Sequence, residues 1–289
     1  MSDDDPYRAP DSPTEPIEGA IRPMSTGLAA GWSFLATFLF VFVAAGAIAI
    51  RPDESGDFLV TGVLAQIIAY SLALFLMLRV HGPEVAISRF IGLRPTSPWL
   101  YVLGAVLGLA MQLPVNALYE LVLARFPVAT PSELQPHYDA APLPTRVLMG
   151  LALVAFGPLI EEVFFRGALF GPLLRRPEKE RGLVVVVVTG LLFAAAHFMR
   201  WQDVVCIIPM GLLLGFLRLS SGSLLPSVFA HACFNGVAMA QLAMHREDMS
   251  PTVPVLVATS AVTAAAIGLI AWVGRTSERA QLARAEDAA

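Results

Sequence analysis

Three clusters with polar residues interrupt otherwise apolar stretches of the chain. Glu161-Glu162-Val163-Phe164-Phe165-Arg166, Phe193-Ala194-Ala195-Ala196-His197 and His231-Ala232-Cys233-Phe234-Asn235 each set two side chains four residues apart, the interval that shares one helical face. Glu162 and Arg166 are placed to pair and offset part of each other's burial. Glu161, turned about 100° from Glu162 by helical geometry, calls for a donor from another helix. Phe193 buttresses the His197 ring, and His231 sets a second imidazole beside the Asn235 amide. A carboxylate and an imidazole polarise a water, and imidazole and amide donors hold a developing oxyanion. No Ser or Thr falls within the three motifs and Cys233 lies off the His231/Asn235 face, so water attack on a carbonyl is the natural reaction. Glu161, His197 and His231 also compose a plausible zinc set. Taken singly, each motif reads equally as hydrogen bonding between helices.

The elements that must position these residues follow from composition. Of 289 residues, 56% are hydrophobic and 15% charged, and the mean hydropathy is +0.67. That is too apolar for one water-soluble core, and a bilayer is the fitting solvent. The sequence predicts an all-α polytopic membrane protein of about eight spans, at 27–50, 58–80, 97–119, 148–174, 182–199, 203–219, 223–245 and 251–274. Trp32, Trp99, Trp201 and Trp272 fall near span ends, as an aromatic belt requires. An ionisable group at mid-bilayer costs about 2.5 to 3.5 kcal/mol on insertion, which makes each one a functional hypothesis. At 1.5 Å per residue, Glu161 and His197 lie roughly 20 and 22 Å from their helix ends, and His231 and Asn235 about 12 and 18 Å. Similar depths favour one buried constellation over separate packing contacts.

Flanking segments complete the reading. Residues 1–26 are expected to form a disordered acidic cytoplasmic tail, with Asp3, Asp4, Asp5, Asp11, Glu15 and Glu18 among five prolines. The transmembrane domain is 27–274, with its catalytic core at about 145–240, and 275–289 is a C-terminal cytoplasmic tail. No basic region precedes the first span, so it reads as a retained helix rather than a signal peptide. Fourteen of the 19 basic residues fall on the side of the termini in an eight-span topology, which puts both termini in the cytoplasm. Residues 81–96 read as an amphipathic stretch on the cytoplasmic surface or as an ordinary linker. Residues 125–145, with His137 and Asp139, read as an irregular outer loop. Cys206 and Cys233 read as packing residues. The net charge of -4 gives no footprint for nucleic acid. One lysine, Lys179, against eighteen arginines suggests a GC-rich prokaryotic genome, hence a prokaryotic plasma membrane.

The ordered trio Glu-Glu-x-x-x-Arg, Phe-x-x-x-His and His-x-x-x-Asn resembles the CPBP family of intramembrane proteases, which includes the type II CAAX prenyl endopeptidases and bacterial Abi-type proteins. The resemblance covers roughly residues 145–240 and is reinforced by Ser220-Ser221-Gly222-Ser223-Leu224-Leu225-Pro226. It implies an eight-helix fold and a glutamate-dependent endopeptidase with no cofactor. Glu161 and His197 would activate the water, His231 and Asn235 would stabilise the oxyanion, and Glu162, Arg166 and Phe193 would support them. The implied partners are the lipid bilayer and a peptide or protein substrate, lipidated or membrane-embedded. Two other classes remain open on the sequence: a non-catalytic immunity or binding protein, and a proton-coupled transporter relaying protons through Glu161, His197 and His231. No internal repeat supports the transporter.

Overall fold

The computed structural model describes residues 20–50, 58–128, 134–175, 181–245 and 252–269, and these are helical with connecting turns. In chain order the helices are α1 (Thr26–Ile50), α2 (Phe58–His81), α3 (Ile87–Phe90), α4 (Pro98–Arg125) and α5 (Leu134–Ala140). They continue with α6 (Leu143–Leu174), α7 (Arg181–Ala195), α8 (Trp201–Ser221), α9 (Leu225–Ala243) and α10 (Val253–Leu269). The all-α polytopic architecture is the expected one. Five helices, α1, α2, α4, α6 and α8, are long and apolar enough to cross a hydrocarbon core, whereas α7 and α10 are apolar but shorter. The expected span 182–199 therefore ends early, at Ala195, and His197 sits in the turn beyond it. On α1 the rings of Phe34, Phe38 and Phe42 stack in an exposed ribbon with centroids 6.5 Å apart, the surface that a lipid solvent rewards.

Small residues set how closely the helices approach. Gly104 and Gly108, four apart on α4, face the backbone of α9, and a methyl group added at Gly108 would fall on the carbonyl oxygen of Ala230. This is close backbone packing through a small-xxx-small pair, and it fixes α9 one residue before His231. Gly190 of α7 and Gly211 of α8 meet in the same way, since a methyl group at Gly211 would stand 2.7 Å from the Gly190 oxygen. Between α2 and α6 the contact is aromatic: Tyr70 lies 4.8 Å from Phe164 and 6.1 Å from Phe165.

Three connecting segments differ from their sequence reading. Residues 20–25 are docked rather than free: Met24 is buried, its amide donates to the Pro172 oxygen, and the Arg22 amide donates to the His81 oxygen. The remainder of the expected tail, 1–19, and the C-terminal segment 275–289 with Trp272 lie outside the described residues. In 81–96, Val85, Phe90 and Ile91 are buried against the protein while Ile87 and Leu93 are exposed. The segment is fastened to the turn before α9 by Arg94 Nε donating to the Gly222 oxygen at 2.6 Å and Leu224 N to the Gly92 oxygen at 3.0 Å. The loop 125–145 contains α5 and is held by Arg146, which donates to the oxygens of Ala141 and Asp139. Asp139 there faces His245 at 3.6 Å.

Candidate active site

Helix α6 carries two carboxylates in a short α-helical segment, Gly157–Glu162, framed by two wider π-helical turns, Ala152–Phe156 and Val163–Leu169. The first wide turn has a local cause. The Gly157 amide reaches back five residues to the Ala152 oxygen, and Pro158, next in that register, has no N–H to offer Leu153. The Leu153 oxygen instead accepts from Asn235 Nδ2 of α9 at 2.8 Å. A proline thus frees a carbonyl, and that carbonyl anchors a candidate site residue. In the second wide turn the Arg166 oxygen accepts from Arg218 Nε of α8 at 2.9 Å.

Glu162 and Arg166 are fully buried and pair at 3.0 Å between Oε1 and Nη1. Arg166 Nη2 also donates to the Gly211 oxygen at 2.7 Å, and its guanidinium lies 4.5 Å above the Phe193 ring. The same Glu162 Oε1 meets His231 Nδ1 at 3.1 Å. A carboxylate ionised against an arginine only accepts, so the His231 proton belongs on Nδ1, and Nε2 turns toward Glu161 Oε2 at 3.7 Å. Glu161 has the inter-helix donor its orientation called for: Gln66 Nε2 of α2 donates to Oε1 at 2.8 Å. Its side chain keeps 15% exposure where Glu162 has none, leaving Glu161 the carboxylate open to a ligand.

His197 caps the end of α7. Its Nδ1 lies 3.0 Å from the Phe193 oxygen, which also accepts from the Ala196 amide at 3.2 Å in the tightened last turn. A carbonyl accepts, so Nδ1 donates and Nε2 keeps its lone pair. Phe193 is buried at the centre, with its ring edge-on to His197 at 4.9 Å and to His231 at 5.5 Å. Glu161, His197, His231 and Asn235 line one cavity of about 290 Å³, joined by Gln66 of α2 and Phe40 of α1. The structure thus brings together all four side chains singled out in the sequence, from α6, the turn after α7, and α9.

Gln66 escaped the sequence reading, which weighed ionisable side chains in the spans and passed over a lone neutral amide. Its only signal was a polar residue in the apolar run of α2. Among the described residues no three His, Cys, Asp or Glu side chains are grouped as a metal ion requires. Glu161 and His231 adjoin, and His197 lines the cavity without completing a ligand set. Cys206 and Cys233 are free thiols.

Residues 143–237 match the family described as type II CAAX prenyl endopeptidase Rce1-like. The matched segment begins with α6 and ends two residues beyond Asn235, enclosing the four cavity residues. No curated protein and no solved structure matches the chain.

Proposed function

We propose that this chain, whose residues 143–237 match the type II CAAX prenyl endopeptidase Rce1-like family, is an intramembrane endopeptidase that hydrolyses a peptide bond with a water activated by Glu161 and His197. The observation that carries the reading is the convergence of Glu161, His197, His231 and Asn235 on one cavity. In this reading His197, with Nδ1 committed to the Phe193 oxygen, takes the water proton on Nε2, and Glu161 orients the water. His231 and Asn235 meet the oxyanion. One Asn235 hydrogen is spent on Leu153 and the other is left for substrate. His231 donates from Nε2 in its doubly protonated form.

The substrate is a membrane-embedded or lipidated peptide or protein. An apolar groove of about 420 Å³ between α1 and the end of α7, lined by Phe34, Phe38, Leu192 and Phe198, runs beside the His197 turn and suits such a chain. Both termini are cytoplasmic in a prokaryotic plasma membrane, an orientation that rests on charge asymmetry. Arg166 contributes little to that asymmetry, being fully buried.

The test compares membrane and secreted peptides of a strain lacking the protein, complemented with the wild type or with Glu161→Gln. A peptide processed only with the wild type identifies the substrate. Equal processing by both would reject the mechanism. Purified protein treated with a membrane-permeable chelator should keep cleaving and carry no stoichiometric transition metal. Activity lost on stripping and restored by zinc would make Glu161, His197 and His231 ligands instead.

A further inference from the structure

A second cavity, of about 650 Å³, lies where the 87–94 segment meets the ends of α6 and α8, and its lining includes Arg89, Arg94, Arg175 and Arg218. No Asp or Glu of the described residues lines it, and none of these arginines pairs with a carboxylate among the described residues. Like charges gathered without a counter-ion oppose folding, and a buried one more so. Arg218 is 8% exposed. Its Nε is held by the Arg166 oxygen, its guanidinium lies 5.2 Å from the Phe170 centroid, and among the described residues its two Nη groups donate to nothing.

The backbone holds this geometry. Gly92 and Gly222 both have positive φ, 70° and 63°, a region that favours glycine. A Cβ at Gly92 would strike Arg218 Nη2, and one at Gly222 would strike Arg94 Nη2. The two turns are also fastened to each other, Leu224 N to the Gly92 oxygen and Arg94 Nε to the Gly222 oxygen. The Arg218 guanidinium is therefore held buried in the cavity wall and Arg94 is pinned to the Gly222 turn, with Arg89, Arg94 and Arg175 all exposed.

We infer that this cavity binds a phosphate-bearing anion, with the guanidiniums of Arg89, Arg94, Arg175 and Arg218 as its donors. Planar guanidinium forks match phosphate oxygens in pairs. Exposed Leu93 and Leu174 in the lining and the position at the ends of two membrane-length helices suit an amphiphile at the bilayer surface. A phospholipid headgroup and free phosphate share this chemistry. The site is separate from the catalytic cavity and does not depend on the proteolytic reading.

The test uses the full chain, delipidated in phosphate-free detergent, titrated with inorganic phosphate and with short-chain phosphatidylglycerol by calorimetry. Saturable binding is expected, weakened roughly tenfold or more in the Arg89→Gln/Arg175→Gln double variant. Neither side chain donates a hydrogen bond among the described residues, so the thermal midpoint should hold, and Arg89→Lys/Arg175→Lys should recover part of the affinity. Tighter binding of the lipid identifies a headgroup site, and binding of phosphate alone identifies a free-anion site. Absence of saturable binding by both probes, or unchanged affinity in the Gln variant, would overturn the proposal. Binding seen only after Asp3, Asp4, Asp5, Asp11, Glu15 and Glu18 are neutralised would assign the cavity to the chain's own acidic segment, and would also overturn it.

Discussion

Two runs of polar side chains meet on α9, within about 15 Å of each other along the helix. One is neutral: Gln112 Nε2 donates to Asn116 Oδ1 at 2.8 Å, and Asn116 Nδ2 to Gln241 Oε1 at 3.3 Å, joining α4 to α9. The other is charged and runs from Arg166 through Glu162 and His231 to Glu161 and Gln66. The hydrogen bonds of the amide run join its own members, Gln112 Oε1 is buried without a partner among the described residues, and none of the three side chains lines the site cavity. In the charged run a fully buried pair orients an imidazole beside Glu161, a carboxylate with 15% exposure that lines a cavity. Polarity inside a helical bundle therefore does not by itself mark a site. What separates the two runs is a charge that stops at open space.

Substitutions can break this contrast at several points. The largest effect is expected at His197, which sits at the cavity and braces only its own turn. His197→Ala should lower peptide cleavage roughly a hundredfold to ten-thousandfold with the fold retained, as for loss of a general base. Arg166→Ala should act on the fold, because it leaves Glu162 buried and unpaired. A loss of about 3 to 5 kcal/mol in denaturant or thermal unfolding is expected, with cleavage falling in step with the folded fraction.

Gly108→Ala probes the spacing of α4 and α9. With a methyl group directed onto the Ala230 oxygen, the helices must part, at a cost of about 1 to 3 kcal/mol. Cleavage should fall as well, since His231 follows Ala230. The smallest effect is expected in the amide run: Asn116→Ala should cost about 0.6 kcal/mol of stability, the average for interhelical hydrogen bonds, and leave the cleavage rate unchanged. A large loss of activity there would erase the distinction between glue and site.

The sequence made part of this legible. Spacing of four placed Glu162 with Arg166, and the turn of the helix required a partner for Glu161 from elsewhere. It could not say that the partner is Gln66, because an amide 95 positions away is chosen by tertiary packing. The apolar run past residue 195 carries no proline or glycine stop before Arg200, so α7 reads longer than it is. At the end the Ala196 and His197 amides reach the Phe193 and Ala194 oxygens and the His197 ring shares the Phe193 oxygen, contacts invisible in hydropathy. Val85, Phe90 and Ile91 betrayed a face to bury in 81–96. That the cover is protein rather than lipid depends on a turn 128 positions further on. Arg218 counted among the basic residues on the side of the termini, yet it is buried, because the Arg166 oxygen in the wide turn of α6 accepts from its Nε inside the bundle.

The most direct test of the central claim is the cleavage rate of the purified, lipid-reconstituted protein beside its Glu161→Gln variant, on one peptide and at matched folded concentration. Replacing the carboxylate by an isosteric amide keeps the Gln66 contact available while removing the group proposed to polarise water. Cleavage should fall by about a thousandfold or more, while the thermal midpoint stays at that of the wild type. A Glu161→Gln protein that cleaves at the wild-type rate would contradict the account.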